Sequence, residues 1–295
     1  MVFKPIELSD RDWMTACLKA GHRGSLEYSF TSNFLWREVY KLHVARYGDY
    51  VIVMSDPDDP SFIFPLGAGP LLPVLQALMA YTKARGIPLN FNTLLEEDKA
   101  RLEALFPGQF EVKEIRNAFD YIYETQRLAN LPGKKLSSKR NNINKFMMEN
   151  RDWSFEAITR DNIDDARAMS LEWCKRAGCT DNPSLFEESC AVEQAFLHFF
   201  DLGLEGGLLR IAGKAVAFSM GDALNEDVYL THIEKAFDEI PGVYQMINQQ
   251  FVQRFAMDYK FVNREDDTGD EGLRRAKMSY DPVYLVAKYT ARQIG

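Results

Sequence analysis

VYLTHIEKAFDEIPGVYQMINQQF, residues 228–251, decides the fold. Val228–Ala236 interleaves apolar and β-branched residues with polar ones, which predicts a strand. The stretch after it carries the loop pair Pro241-Gly242. From Val243 apolar residues recur at helical spacing, which predicts a long helix over Val243–Tyr259. His232 and Glu234 alternate and so share one face of the strand. Free N–H groups at the start of the following helix suit an anion. Glu234 suits a general base or an ammonium partner, and His232 is placed to titrate near neutrality. An ion pair of Glu234 with Lys235 or another cation accounts for that carboxylate equally well.

The same grammar extends in both directions. Before the block, WSFEAI (153–158) predicts a strand, 161–177 and 184–202 predict helices, and 204–211 with 214–224 predict a hairpin. After it come the strand KFVN, a helix over 269–278 and a final strand VYLVAKY (283–289). Nearer the N-terminus, VIVM (51–54) and FIFPL (62–66) read as a hairpin about the turn DPDDP. A helix over 70–85, a strand at PLNFN, a helix over 96–106 and strands at FEVKEI and FDYIYET follow. Each half runs strand, helix, meander, helix, strand. That order predicts a structural duplication: two α+β domains with mixed central sheets, 1–130 and 131–295, joined near Asn130-Leu131-Pro132-Gly133.

Composition agrees with a globular chain. The 295 residues are 46% hydrophobic and 26% charged with a formal net charge of −8. This excludes disorder, collagen, coiled coil and a uniformly basic nucleic-acid binder. The four cysteines (Cys17, Cys174, Cys179, Cys190) form no CxxC pair and lie far from the four histidines (His22, His43, His198, His232), so no metal is expected, and reduced thiols near a core are expected ahead of a redox cluster of Cys174, Cys179 and Cys190. Phe62–Ala80 lacks charge over a membrane-spanning length, but Pro65, Pro70 and Pro73 with Gly67 and Gly69 make it a strand, a turn and a helix start. The N-terminus has charges where a signal peptide is apolar. A cytoplasmic location is expected.

Two polar segments break the pattern. PGKKLSSKRNNINKF (132–146) holds five basic residues and no acid. As a helix it places Leu136, Ile143 and Met147 on one stripe, with Lys139 and Arg140 flanking it and Lys134 and Lys145 pointing away. Arg140, Asn141, Asn142 and Asn144 bring guanidinium and amide donors together. The segment reads as an anion-binding helix or as a solvated basic face. Its position at the domain join, where clefts form, favours the anion. NREDDTGDEGLRRAKMSYDP (263–282) follows a strand end, where polar residues line crevices. Its acid run fits no Ca²⁺ loop. Arg274 and Lys277 share a helical face at i, i+3. A capped helix with exposed ion pairs accounts for it equally well.

The blocks GKKLSSKRNNINKF, HIEKAFDEIPGVYQMINQQF and NREDDTGDEGLRRAKMSYDPVYLVAKY together resemble the signature of the DUF2156 group. That group is similar to the C-terminal domain of phosphatidylglycerol lysyltransferases. The resemblance covers nearly the whole chain. It implies tandem acetyltransferase-like (GNAT) domains, a plan shared with Fem-type aminoacyltransferases, and transfer of an amino acid from aminoacyl-tRNA to an amine or hydroxyl, a lipid headgroup or small molecule among the acceptors. It implies catalytic roles for Lys277, Glu234 and Arg274. It implies substrate-binding roles for Lys139, Arg140, Asn144, Tyr244, Gln245, Asn263, Glu265 and Asp266. The chain departs from CoA-dependent GNAT enzymes at Glu239-Ile240-Pro241-Gly242-Val243-Tyr244. A Glu replaces the Gln or Arg of their pyrophosphate loop, and a Tyr replaces its small last residue. No cofactor is therefore expected, and acetyl-CoA is disfavoured. Three functions fit: an aminoacyl-tRNA-dependent transferase first, then an acyl-CoA-dependent N-acyltransferase, then a non-catalytic binder of RNA or an anionic ligand.

Overall fold

A computed structural model of the chain describes residues 1–21 and 24–294. His22 lies outside the described residues. In chain order the elements are β1 (Lys4–Pro5), α1 (Arg11–Gly21), α2 (Phe30–Leu35), β2 (His43–Tyr47), β3 (Tyr50–Ser55), β4 (Ser61–Ile63), β5 (Leu66–Gly67), α3 (Leu71–Lys83), β6 (Asn90–Leu95), α4 (Glu96–Leu105) and β7 (Phe110–Glu114). Then come β8 (Asp120–Glu124), α5 (Thr125–Asn130), α6 (Ser137–Glu149), β9 (Trp153–Ala157), α7 (Ile163–Ala177), α8 (Pro183–Leu197), α9 (Phe199–Leu202), β10 (Glu205–Ile211), β11 (Lys214–Ala223) and β12 (Val228–Ala236). The chain finishes with α10 (Val243–Phe251), β13 (Phe261–Asn263), α11 (Glu271–Met278), β14 (Tyr284–Val286) and β15 (Lys288–Gln293). No helix among the described residues is long and apolar enough to cross a membrane.

The strands form two mixed sheets, so the α+β expectation holds. The first runs β1-β2-β3-β4-β6-β15-β7, with β5 on β3, and the second runs β14-β8-β13-β12-β11-β10-β9. Each includes a parallel pair among antiparallel ones, β4 with β6 and β12 with β13. Contacts divide the chain into two compact units. One comprises residues 1–120, 266–270 and 285 onward, and the other 121–265 and 271–284. The run VYLVAKY, which reads as one strand, is two: β14 belongs to the second sheet and β15 to the first. Ala287, between them, carries no composition signal for the break.

The core of the first unit is β3, β4 and β6 against α3. Ile52, Phe62, Phe91, Leu75 and Leu78 are fully buried there. One ion cluster is sealed inside the same unit. Lys288 Nζ lies 2.7 Å from Asp120 Oδ1 and 2.7 Å from Glu27 Oε1, with Lys288 and Asp120 at 0% exposure. Asp120 Oδ2 also accepts from Leu26 N at 2.9 Å and Ser25 Oγ at 3.2 Å. Burial opposes the ammonium, but the two carboxylates outweigh it and raise its pKa.

In the second unit α10 covers the sheet through Met246, Ile247 and Phe251, all buried. The long helix expected over 243–259 stops being α-helical at Phe251 and continues as a π-turn, Val252–Ala256. In α6 the buried stripe is Leu136, Ile143 and Phe146, while Met147 is 38% exposed. Phe146 lies three residues after Ile143 on the same face and packs its larger ring edge-on to Trp153, so it displaces Met147 from the expected role. Gly178, at φ 70, ends α7 and turns the chain so that Cys174 and Cys179, with Cα atoms 5.3 Å apart, form a disulfide. Reduced thiols were expected at both. Only Cys17 and Cys190 are free among the described cysteines.

Candidate functional site

The site is built where the two parallel strands of the second sheet part. β13 pairs with β12 only over Val228↔Phe261 to Leu230↔Asn263. Beyond Leu230 the rest of β12, Thr231–Ala236, has no β13 partner. Arg264 leaves β13 at that point. Its Nη2 donates to Glu234 Oε1 at 2.9 Å, and the two side chains are only 11% and 12% exposed. Asn248, on α10 and 1% exposed, donates from Nδ2 to Glu234 Oε2 at 2.9 Å. Both carboxylate oxygens are thus held. Arg264 Nη1 and Asn248 Oδ1 are buried and have no hydrogen-bond partner among the described residues. A buried orphan polar atom costs about 1–3 kcal/mol, and here two of them, one a donor and one an acceptor, belong to the two partners of one carboxylate.

Aromatic rings enclose the group. The Arg264 guanidinium lies 4.9 Å from the Tyr280 ring centroid and 5.8 Å from that of Tyr123. Burial raises the pKa of both phenols, so they remain neutral. Tyr123 Oη donates to the carbonyl of Lys277 at 2.8 Å. Lys277, 8% exposed, donates from Nζ to the carbonyl of Arg264 at 2.6 Å. The lysine thereby fixes the backbone that carries the guanidinium. Lys139, from α6, donates to Ser279 Oγ at 2.6 Å and lies 4.5 Å from the Tyr280 centroid. Burial, helped by the charge of Arg264, lowers its pKa. On α10 the Tyr244 phenol is pushed up to about 12, mainly by burial and partly by the charge of Glu234.

The structure brings together Glu234, Lys277 and Lys139 from the expected set, with Tyr244 on the flank. Other members serve elsewhere. Arg140 donates to the carbonyls of Leu131 and, at 2.8 Å, Gly133, so it braces the turn that precedes α6. Asn144 is exposed on α6, Gln245 is half-buried on α10, and Arg274 is half-buried one turn before Lys277. Asn263 is fully buried, and its Oδ1 accepts from Glu265 N at 2.7 Å. Asp266 belongs to the first unit, where its charge acts on Lys288. Sequence reasoning missed Arg264, Asn248, Tyr123 and Tyr280 as members. The one signal for Arg264 was a cation directly after a short apolar strand.

His232 departs from its expected role. The pairing of β12 with β11 steps from Met220↔Ile233 to Gly221↔Thr231, so His232 is the extra residue of a β-bulge. Its Nε2 is 3.0 Å from Asp222 Oδ1 and its Nδ1 2.9 Å from Glu265 Oε1, with 3% of the side chain exposed. Burial opposes the imidazolium, but the charges and hydrogen bonds of Asp222 and Glu265 outweigh it and push the pKa up to about 10. It therefore does not titrate near neutrality. It holds Glu265, whose φ of 56 is left-handed, in the residue next to Arg264. Because the folded pKa is raised, the stabilisation is complete below about pH 6.5 and is lost as pH rises through about 10. Urea unfolding of the native chain should lose on the order of a few kcal/mol more across that interval than His232→Gln. Equal slopes for the two proteins would refute the bridge.

The N-terminus of α10 is also occupied by protein. Gly242, at φ 82, packs so closely that a Cβ there would overlap the carbonyl oxygen of Asn142 on α6. Glu239 in the same loop pairs with Arg176.

Comparison with known proteins agrees with this architecture. A family model described as phosphatidylglycerol lysyltransferase, C-terminal, matches residues 19–292. A conserved protein of unknown function from Bacteroides thetaiotaomicron is 36% identical, with TM-score 0.94 over 99% of both chains. The C-terminal domain (DUF2156) of a putative lysylphosphatidylglycerol synthetase from Agrobacterium fabrum is 14% identical, with TM-score 0.69 over 98% of this chain and 93% of that one. A tandem GNAT protein from the clavulanic acid biosynthesis pathway is 12% identical, with TM-score 0.53 over 99% and 98%. An uncharacterized protein of Mycoplasmoides gallisepticum is 24% identical over 192 residues, 63% of this chain and 60% of that protein, so the match spans less than two thirds of the relative. The fold is that of tandem GNAT proteins, and the relatives point to an acyltransferase related to lysylphosphatidylglycerol synthetase. With its match over residues 19–292, the chain belongs to the phosphatidylglycerol lysyltransferase C-terminal family.

Proposed function

We propose that the second unit transfers an aminoacyl group from the ester of an aminoacyl-tRNA to an amine or hydroxyl acceptor, a lipid headgroup or small molecule, in the cytoplasm. The observation that carries this reading is the pair of orphan atoms beside Glu234: a donor on Arg264 and an acceptor on Asn248. An aminoacyl ester supplies both complements. Its α-ammonium suits Asn248 Oδ1 and the Glu234 carboxylate, and its carbonyl oxygen suits Arg264 Nη1. The ester is already activated, so the protein's main task is to orient donor and acceptor. As the acceptor attacks the carbonyl carbon, charge develops on that oxygen, where a preplaced N–H donor typically contributes 10²–10³ in rate. Lys277 acts as a positioning residue through the Arg264 carbonyl. Lys139 supplies a second cation near the departing ribose oxygen. Lys134 and Lys145, exposed around α6, are available to tRNA phosphates.

A CoA donor fits less well. Its pyrophosphate would meet Glu239 and a helix start against which α6 is packed. The test is binding of labelled aminoacyl-tRNA at low and physiological salt, with CoA thermal shift beside it. The expected result is salt-sensitive tRNA binding that Lys134→Glu/Lys145→Glu weakens, and no CoA shift. CoA stabilisation without tRNA binding would overturn the proposal.

A further inference from the structure

The last turn of α7 is fastened onto the strand-loop-helix block that carries Glu234. The Trp173 ring centroid lies 3.9 Å from Lys235 Nζ, and the indole N–H is turned to the Tyr244 hydroxyl on α10. Lys235, next to Glu234 on β12, is only 7% exposed, and its ammonium bonds to Glu188 Oε2 on α8 at 2.6 Å. Arg176 lies 4.1 Å from the Phe237 ring centroid and pairs with Glu239 in the loop before α10. One turn of helix thus meets β12, the loop and α10 together. Cys174 stands in that turn between Trp173 and Arg176. Its bond to Cys179 ties the turn to the segment that leads into α8. Lys235 is therefore held between α7 and α8, the two helices on either side of the disulfide.

We infer that the Cys174–Cys179 bond is a reversible redox clasp: oxidised, it holds the end of α7 on β12 and α10, and reduced, it lets that end lift from the flank of Glu234. Several features separate a clasp from a structural staple. The bond spans a sequence separation of only 5, and short loops give the smallest entropic stabilisation, so opening it costs the fold little. The start of α8 has its own cap, since Asn182 Oδ1 accepts from Ser184 N at 3.1 Å and from Leu185 N at 3.3 Å. Cys174 is half-buried rather than sealed, beside exposed Lys175 and Arg176, whose charge favours a thiolate. In the cytoplasm proposed above, such a bond is a transient state. The reductant is a dithiol. Its thiolate attacks Cys174 Sγ, the Cys174–Cys179 bond breaks, and Cys179 leaves and takes a proton. The second thiol of the reductant then displaces Cys174, which takes the other proton, and the reductant closes its own disulfide. Two electrons pass to the chain.

The experiment compares hydrogen exchange, read by mass spectrometry, in the native chain oxidised with diamide and in the same chain reduced with dithiothreitol. Alkylation in denaturant verifies the two states: Cys17 and Cys190 alone label in the first, and Cys174 and Cys179 join them in the second. Amides of 172–182 and 235–245 should exchange faster on reduction by on the order of tenfold, while β10 and the first unit stay as they were. Cys174→Ser/Cys179→Ser should exchange at the fast rate under both treatments. Labelling of Cys174 and Cys179 after diamide, or equal exchange of the two segments in the two states, would overturn the inference. A rise spread over the whole second unit would overturn it too, because that is the loss of a staple. The functional consequence rests on the transferase reading above. Aminoacyl-tRNA binding should differ between the two states of the native chain and not between those of the double variant. Equal binding in both states would remove the regulatory role. Absence of binding in both would remove the transferase reading, and the exchange result would still decide for or against the clasp.

Discussion

Lys288→Met is expected to destabilise the first unit by about 3–5 kcal/mol, because it leaves two buried carboxylates facing one another without their cation. The ammonium lies 2.7 Å from both Glu27 and Asp120, and Ser25 Oγ bonds to both acids. Methionine fills most of the volume, so the loss is electrostatic rather than a cavity. The acids of the variant should then share a proton, so its stability should recover in part as pH falls toward 5, where the native protein gains nothing comparable. Denaturant unfolding of both proteins at pH 7 and pH 5 checks this. A variant as stable as the native chain at pH 7 would show that the triad is not held as described.

Arg264→Leu is expected to produce two losses at once. Transfer should fall by about 10²–10³, the usual effect of deleting one donor to a developing oxyanion. Stability of the second unit should fall by about 3–5 kcal/mol, since Glu234 stays buried with only Asn248 as partner. Arg264→Lys separates the two. A lysine keeps the charge near Glu234 but not the fork that presents Nη1 beyond it. The Lys variant should therefore fold with near-native stability and still transfer slowly. Full transfer by Arg264→Lys would remove Nη1 from the mechanism.

Much of this was legible in the sequence. β12 occupies Val228–Ala236, as the alternation in that stretch requires, and the Pro241-Gly242 loop delivers the chain into α10. The basic segment is a helix, and Glu234 and Lys277 both lie close to Arg264. What stayed hidden depends on pairing across the chain. Nothing local links Glu234 to Arg264, 30 residues later; only the short parallel register of β12 and β13 puts the cation where β12 has lost its partner. Arg140 and Lys139 look equivalent on a helical wheel, yet one bonds to backbone carbonyls and the other turns to Tyr280. The bulge at His232 is likewise invisible, because it is set by β11 and not by the residues of β12.

The place of β15 has a consequence for synthesis. β6 and β7 do not pair with each other; β15 lies between them, and it is made after every strand of the second sheet. At about 5–20 residues per second, the ribosome leaves the first sheet open on the order of ten seconds or more after β7 has emerged. The unit translated first waits with two strand edges exposed while the strands of the second sheet, up to Val286, are made. Chaperone demand should therefore concentrate on the N-terminal half of the nascent chain, and a premature stop before Lys288 should be a lesion of the half already made.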